Sequence, residues 1–342
     1  MKKGIIALGL ISLLALSSCS SNASNVSVSE TDKYEHITLD KGEEELQAAI
    51  SLVEDANVYV SFSDGILNRY AQSAVIYKHS STTYYALTYY DSEHVKSTGI
   101  IVAGDNEFNA TLRSYDAYNN IALLTFSTTK SLTTVNIVSE TPESSERVFS
   151  MSTQAGKYNT SKYSEDNQNI VNTGIISNTS NRLCMHTAMF SEDDFGSGLY
   201  DYSGNLIGIN VDKVESSNDS KVWGFNYALY GDALKSVVSD LESSTGSIQR
   251  ISLNGMTYYT NYLNEESAIN GYCVLVEVVS PANSFSRMRS GDLIFSVDGN
   301  TVLSINTIRD ACYLKKSSST VVLGIYRNNT VYYIDNNGNI TN

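Results

Sequence analysis

The sequence predicts a mostly β protein in two successive units, an all-β unit of many short strands and a smaller α+β unit. Three observations predict this. Between residues 57 and 229, short runs rich in β-branched and aromatic residues alternate with turn residues at close spacing, the signature of a sandwich or barrel. An amphipathic helix follows over 231–242, with Leu234, Val237, Val238 and Leu241 on one stripe, and then a polar break at 243–246. From Ile248 a fresh set of strands begins around one main helix.

Each element has a local reason. Residues 41–54 carry Leu46, Ala49, Ile50 and Val53 at helical spacing. Strands are expected at 57–63, 73–77, 82–89, 99–103, 109–115 and 120–127, then at 147–152, 169–177, 182–189, 206–211 and 222–229. In the second unit they fall at 255–260, 271–279, 293–297, 320–326 and 331–334, with the helix at 305–315. The chain contains 24 Tyr against nine Phe and one Trp, and Tyr suits half-buried strands, where the ring packs and the hydroxyl stays wet. Two prolines alone, Pro142 and Pro281, rule out a Pro-rich linker.

The formal net charge of −14 over 342 residues argues against nucleic acid or anionic headgroups as partners. It favours solubility and basic or unfolded polypeptides. The leader supports export: Lys2 and Lys3 precede an apolar run over 4–16 that is too short to span a bilayer. Leu16-Ser17-Ser18-Cys19 looks like a bacterial lipobox, in which Cys19 is acylated and becomes the new N-terminus; the lysines leave with the leader and the remaining chain is more acidic still. Residues 20–44 then form a polar tether, its Ser/Asn/Glu-rich stretch reaching about 25 Å. The expected location is the outer face of the bacterial cell membrane, reached through the Cys19 lipid.

Three further cysteines, Cys184, Cys273 and Cys312, are an odd set for a disulfide framework and read as buried small hydrophobes, with a Cys273–Cys312 bridge the other arrangement open. No Cys/His spacing suggests zinc, and four His in the whole chain give no expectation of a metal or other cofactor.

The order of motifs resembles the HtrA/Deg family of trypsin-like serine proteases over about residues 45–337. Gln72-Ser73-Ala74-Val75-Ile76-Tyr77 with Tyr85-Ala86-Leu87-Thr88 resembles the strand pair leading to that family's catalytic His. Tyr115-Asp116 with Asn120-Ile121-Ala122-Leu123-Leu124 resembles the segment holding its catalytic Asp, and Asn172-Thr173-Gly174-Ile175-Ile176-Ser177 the strand before the nucleophile loop. Gly196-Ser197-Gly198-Leu199-Tyr200-Asp201, Gly204-Asn205-Leu206-Ile207-Gly208-Ile209-Asn210 and Gly224-Phe225 match that loop, the next strand and the end of the protease domain. In the second unit, Ser280-Pro281-Ala282-Asn283, Met288-Arg289-Ser290-Gly291-Asp292-Leu293-Ile294 and Val297-Asp298-Gly299 look like a PDZ domain. The resemblance therefore implies a trypsin-like double β-barrel over 45–245 and a PDZ domain over 248–337. It also implies assembly as a homo-trimer through the barrels.

Leu253-Asn254-Gly255-Met256 sits where a PDZ domain places its carboxylate-binding loop, beside which a peptide C-terminus adds as a strand. Ile305, Ile308 and Cys312 share one helical face, which lines the peptide groove or is plain core.

Serine-protease chemistry needs a nucleophile on an exposed turn, an imidazole within hydrogen-bond reach and a carboxylate to orient it. The family's nucleophile position falls on Phe195, its His position on Asp91 and its Asp position on Asn120. Phe195 has no nucleophilic atom. A carboxylate near its reference pKa of about 3.9 is a poor base at neutral pH, and Asn120 cannot balance an imidazolium. Glu192, Asp193 and Asp194 crowd the turn whose amides would face a developing oxyanion. The fallback nucleophile is Ser197, with His94, three residues past the His position, or His186 as substitute base; the bland reading makes Ser197 a turn residue, His94 a solvated loop residue and His186 a barrel side chain. The sequence thus points to a pseudoprotease that binds polypeptide C-termini or unfolded protein, in a chaperone-like or regulatory role. Two alternatives stay open: a serine endopeptidase rearranged around Ser197, and a non-catalytic surface scaffold.

Overall fold

The computed structural model describes residues 41–63, 69–154, 168–188, 194–212, 226–263, 271–278 and 284–341. Residues 45–342 form one compact unit; of the segment before it, only 41–44 are described. Cys19, Glu192, Asp193, Gly224-Phe225 and Pro281 lie outside the described residues.

Helix α1 (Lys41–Val53) and a 3-10 turn (Glu54–Ala56) lead into six antiparallel strands: β1 (Asn57–Ser63), β2 (Arg69–Ser80), β3 (Thr83–Tyr89), β4 (Thr98–Ala103), β5 (Asn106–Asp116) and β6 (Ile121–Ser127). They pair in the order β5-β4-β1-β2-β3-β6, and a β5–β6 pairing closes the ring. A second closed barrel follows, in the order β10-β11-β12-β9-β8-β7. Its strands are β7 (Arg147–Gln154), β8 (Gln168–Thr179), β9 (Leu183–His186), β10 (Gly198–Asp201), β11 (Leu206–Val211) and β12 (Asn226–Tyr230). Helix α2 (Gly231–Glu242) and the short β13 (Gly246–Ser247), parallel to β5, complete this part.

Because neighbouring residues on a strand face opposite ways, each barrel serves two cores. Ala74 and Ile76 point into the first barrel with Val58, Val60, Ile101 and Leu124. Val75 between them turns outward, joining Leu87, Ile121 and Leu123 against Phe149, Met151, Tyr200 and Ile209 of the second barrel. Ala49 and Val53 of α1, with Leu234, Val237, Val238 and Leu241 of α2, pack into the same inter-barrel core. The stripe that marked α2 in the sequence is the face it buries.

The third sheet runs β14-β15-β16-β18-β19-β20, all antiparallel, with β17 paired to β16. Its strands are β14 (Met256–Leu263), β15 (Gly271–Val278), β16 (Leu293–Val297), β17 (Asn300–Thr301), β18 (Val322–Arg327), β19 (Thr330–Asp335) and β20 (Ile340–Thr341), with helix α3 (Ile305–Tyr313) between β17 and β18. The sheet and helix enclose a core of Val274, Val276, Ile294, Ile308, Cys312, Leu323 and Ile325. Cys184, Cys273 and Cys312 are buried free thiols, so Cys273 and Cys312 form no bridge.

Polar side chains fasten this unit to the barrels. The Arg250 side chain is wholly buried: Nε donates to Asp116 at 2.7 Å, and Nη1 donates to Asp240 of α2 at 2.7 Å and to the Leu314 carbonyl at 3.2 Å. Arg182, before β9, pairs with Asp310 of α3 at 3.2 Å and lies over the Tyr313 ring. Asn119 Nδ2 donates to the Tyr313 carbonyl at 2.8 Å.

Candidate functional site

The seam between the barrels is built on the ends of β2 and β3. Gln72 Nε2, buried, donates to Thr88 Oγ1 at 2.7 Å and to the Tyr89 carbonyl at 2.6 Å. Thr88 Oγ1 donates to the Ser73 carbonyl at 2.6 Å, and the Thr153 amide of the second barrel donates to Ser73 Oγ at 3.1 Å. These bonds fix the point where β3 delivers Tyr89 to the surface. From the other side comes the turn before β10. Gly196 has φ +87°, and a Cβ there would stand 2.4 Å from the Ser73 carbonyl oxygen and 2.6 Å from the Tyr89 nitrogen. Only glycine lets that turn approach so closely.

This approach places Phe195 against Tyr89, with ring centroids 4.9 Å apart. Asn120, in the left-handed region at φ +57°, donates from Nδ2 to the Tyr89 hydroxyl at 3.0 Å, and its carbonyl accepts from the Tyr90 amide at 2.8 Å. Asp91 follows on the same turn, its carboxylate bonded by the Glu93 amide at 2.7 Å and by His94 Nδ1. The three positions that the resemblance assigned to a triad, Asp91, Asn120 and Phe195, therefore converge around Tyr89, a residue sequence reasoning passed over. The signal was present: Tyr89-Tyr90 directly follows Leu87-Thr88, where the family's His motif begins.

The electrostatics suit an anionic aromatic surface. Burial pushes the Tyr89 phenol up to about 12; the Asn120 hydrogen bond works against this, and Asp212 and Asp91 add to it. Burial also works to raise the Asp91 carboxyl, but the Glu93 amide and His94 outweigh it and hold it below its usual range. His94 is no free loop residue: it pairs with Asp91 and stacks on Tyr70 at 4.1 Å.

Ser197 and His186 lie elsewhere. Both are fully buried inside the second barrel. Asn210 stands between them: its Nδ2 donates to Ser197 Oγ at 2.8 Å and to Ser150 Oγ at 2.7 Å, and its Oδ1 lies 3.0 Å from His186 Nε2. Burial pushes His186 down to about 4, opposed by its bonds to Asn210 and the Ala188 backbone. Ser197 is thus no exposed turn residue; Gly196 ends the turn, and the chain enters the barrel one residue later. Asp194 is buried as well, and its carbonyl accepts from the Ser197 amide at 3.1 Å.

In the third unit, Leu253 is buried, Asn254 exposed, Gly255 at φ +82° and Met256 half-buried at the start of β14. β14 is an edge strand, with β15 its one partner among the described strands. Ile308 and Cys312 are wholly buried and belong to the core rather than to an open groove wall. Tyr258 of β14 packs on the same core, its hydroxyl donating to the Leu253 carbonyl at 3.4 Å.

Two closed six-stranded barrels sharing a core define a trypsin-like fold. The family of trypsin-like peptidase domains matches residues 73–209. The serine protease Do-like HtrA of Lactococcus lactis subsp. lactis is 26% identical over 298 residues, 78% of this chain and 70% of that one. Its counterpart from Lactobacillus helveticus is 25% identical, over 81% and 71%. Among solved structures, the HtrA-type protease AlgW with a tripeptide superposes with a TM-score of 0.61 at 19% identity, covering 86% of this chain and 96% of that one. The serine endoprotease from Yersinia pestis gives 0.56 at 20%, covering 86% and 97%. The chain has a trypsin-like fold and is similar to HtrA-type serine proteases over 78–81% of its length.

Proposed function

We propose that this chain is a binding member of its family, an exported lipoprotein held at the membrane by Cys19 that captures polypeptides without cutting them. The observation that carries this reading is Phe195, at the position the resemblance assigns to the nucleophile, packed on Tyr89 at 4.9 Å. A ring there offers no atom for acyl transfer. Asn120 beside it supplies no charge, and Asp91, held below the usual carboxylate range, is a weak base. The burial of Ser197 and His186 supports the same reading, because a nucleophile must reach a carbonyl at contact distance.

The barrels over 45–245 would hold the inactive site, and a PDZ domain over 248–337 would capture peptide C-termini. Edge strand β14 and the loop Leu253-Asn254-Gly255-Met256 are the place for strand addition. The AlgW structures hold a tripeptide and a decapeptide; we extend peptide binding, and assembly as a trimer, to this chain as part of the proposal. The test is labelling with a fluorophosphonate beside cleavage of unfolded casein, in the protein and its Ser197→Ala variant. Neither labelling nor cleavage is expected. Labelling that disappears in Ser197→Ala would overturn the reading. Titration with peptides bearing free C-termini checks the binding half, and no affinity in the millimolar range or better would sink it.

A further inference from the structure

We propose that the aromatic cluster around Phe195 is a receptor for the basic side chain of a bound polypeptide, arginine above lysine. The inference rests on the reading that this site binds rather than cuts.

The argument starts from what stands where a triad would. Tyr70 and His94 stack with centroids 4.1 Å apart and planes 25° from parallel. Tyr89 and Phe195 meet at 4.9 Å and 31°. Tyr90, beside Tyr89, stacks on Tyr115 of β5 at 4.1 Å and 12°. All six are half-buried. Aromatic faces carry negative potential and attract a cation lying over them, and a guanidinium also stacks flat on a ring.

Carboxylates are interleaved with these rings. Asp91 lies between the Tyr89-Tyr90 pair and His94, its side chain 26% exposed. Asp212 is close enough to Tyr89 to help raise its phenol, which remains neutral across the physiological range. Asp91 Oδ1 accepts from the Glu93 amide and Oδ2 is bonded by His94 Nδ1, which leaves each oxygen a second lone pair; Lys96, whose charge also acts on this carboxylate, donates to the Glu93 carbonyl. An arginine would therefore meet ring faces and one carboxylate edge, the pairing its planar fork suits. The chain's net charge of −14 draws cationic segments toward it and repels acidic ones.

The test separates this site from capture of a C-terminus. A capped peptide, acetyl-Ala-Ala-Arg-Ala-Ala-amide, has no free carboxylate for the β14 loop. Its citrulline counterpart keeps the shape and hydrogen-bonding edge but loses the charge. At pH 8 and low salt, the arginine peptide should bind saturably, about fivefold or more tighter than the citrulline peptide. Phe195→Leu, which keeps an apolar plug, and Asp91→Asn, on an exposed turn, should each weaken arginine binding by a similar factor. Equal binding of the two peptides overturns the proposal, as does no binding, or binding untouched by both variants with their circular dichroism unchanged. A free-acid apolar peptide is run alongside. If it binds while the arginine peptide fails, the receptor is wrong and the peptide-binding reading stands; if neither binds, both fall.

Discussion

Replacing Arg250 with Met is the most informative single perturbation of the scaffold. Arg250 ties the end of β5, helix α2 and the end of α3 into one cluster, and the side chains of Arg250 and Asp116 are both sealed from solvent. Met keeps the length and the apolar stem and removes the charge. Breaking a buried pair by removing one partner costs about 3–5 kcal/mol, against about 0–1 for an exposed pair. The surroundings decide where in that range the loss falls. Asp116 keeps three donors, the amides of Tyr118 and Asn119 at 3.1 Å and Asn119 Nδ2 at 2.9 Å. Asp240 keeps Lys316 at 2.8 Å. The expected loss is therefore at the lower end, about 3 kcal/mol. The assay is urea unfolding followed by circular dichroism, on Arg250→Met, Asp116→Asn and the double variant. The double variant should recover part of the loss, because the uncompensated carboxylate is then gone. A loss under about 1 kcal/mol for Arg250→Met, or strict additivity of the two changes, would refute the reasoning.

The other predictions concern the second barrel and the thiols. His186 binds its proton near pH 4 when folded and near 6.5 when unfolded, so the unfolded state holds more protons between those values. Stability from this group is full above pH 6.5 and is lost as pH falls to about 4, by about 3 kcal/mol; His186→Gln should flatten the dependence in that window, and an unchanged slope would count against it. Gly196→Ala should lose at least about 2 kcal/mol through its positive φ and its approach to Ser73 and Tyr89, and a variant as stable as the parent would contradict the close seam. Burial pushes the Cys184 thiol up to about 12 and raises Cys273 and Cys312 too, so none should react with iodoacetamide at pH 8 until urea is added, as counted by mass spectrometry.

Much of the fold was legible because its signals are local. The alternation in 73–77 and 120–127, and the stripe of α2, are patterns a chain cannot hide. What escaped was set by distant contacts. β10 reads as a turn, since Gly198 sits beside Gly196-Ser197, yet four residues suffice there because β7 and β11 flank them on both sides. The expected strand over 182–189 is described as Leu183–His186 alone, and the helix expected to 315 ends at Tyr313. Phe195, Asp91 and Asn120 were singled out through motif order. Their common neighbour Tyr89 was not, because a tyrosine on a strand end looks like any half-buried strand residue. Ser197 looked exposed because glycines surround it; the turn ends sooner than its composition suggests. Arg250 and Arg182 carried no sequence signal at all, since their partners lie 134 and 128 residues away.

Barrel closure settles where this protein can be extended by another chain. The first two sheets close on themselves, and the short strands β13 and β20 offer two residues each. Among the described strands, β14 alone presents a long open edge, eight residues of backbone with a partner on one side. Recognition and misassembly therefore compete for the same strip of amides and carbonyls. A ligand on β14 would act as its own anti-aggregant, and crowding of empty copies on a surface would be felt there first.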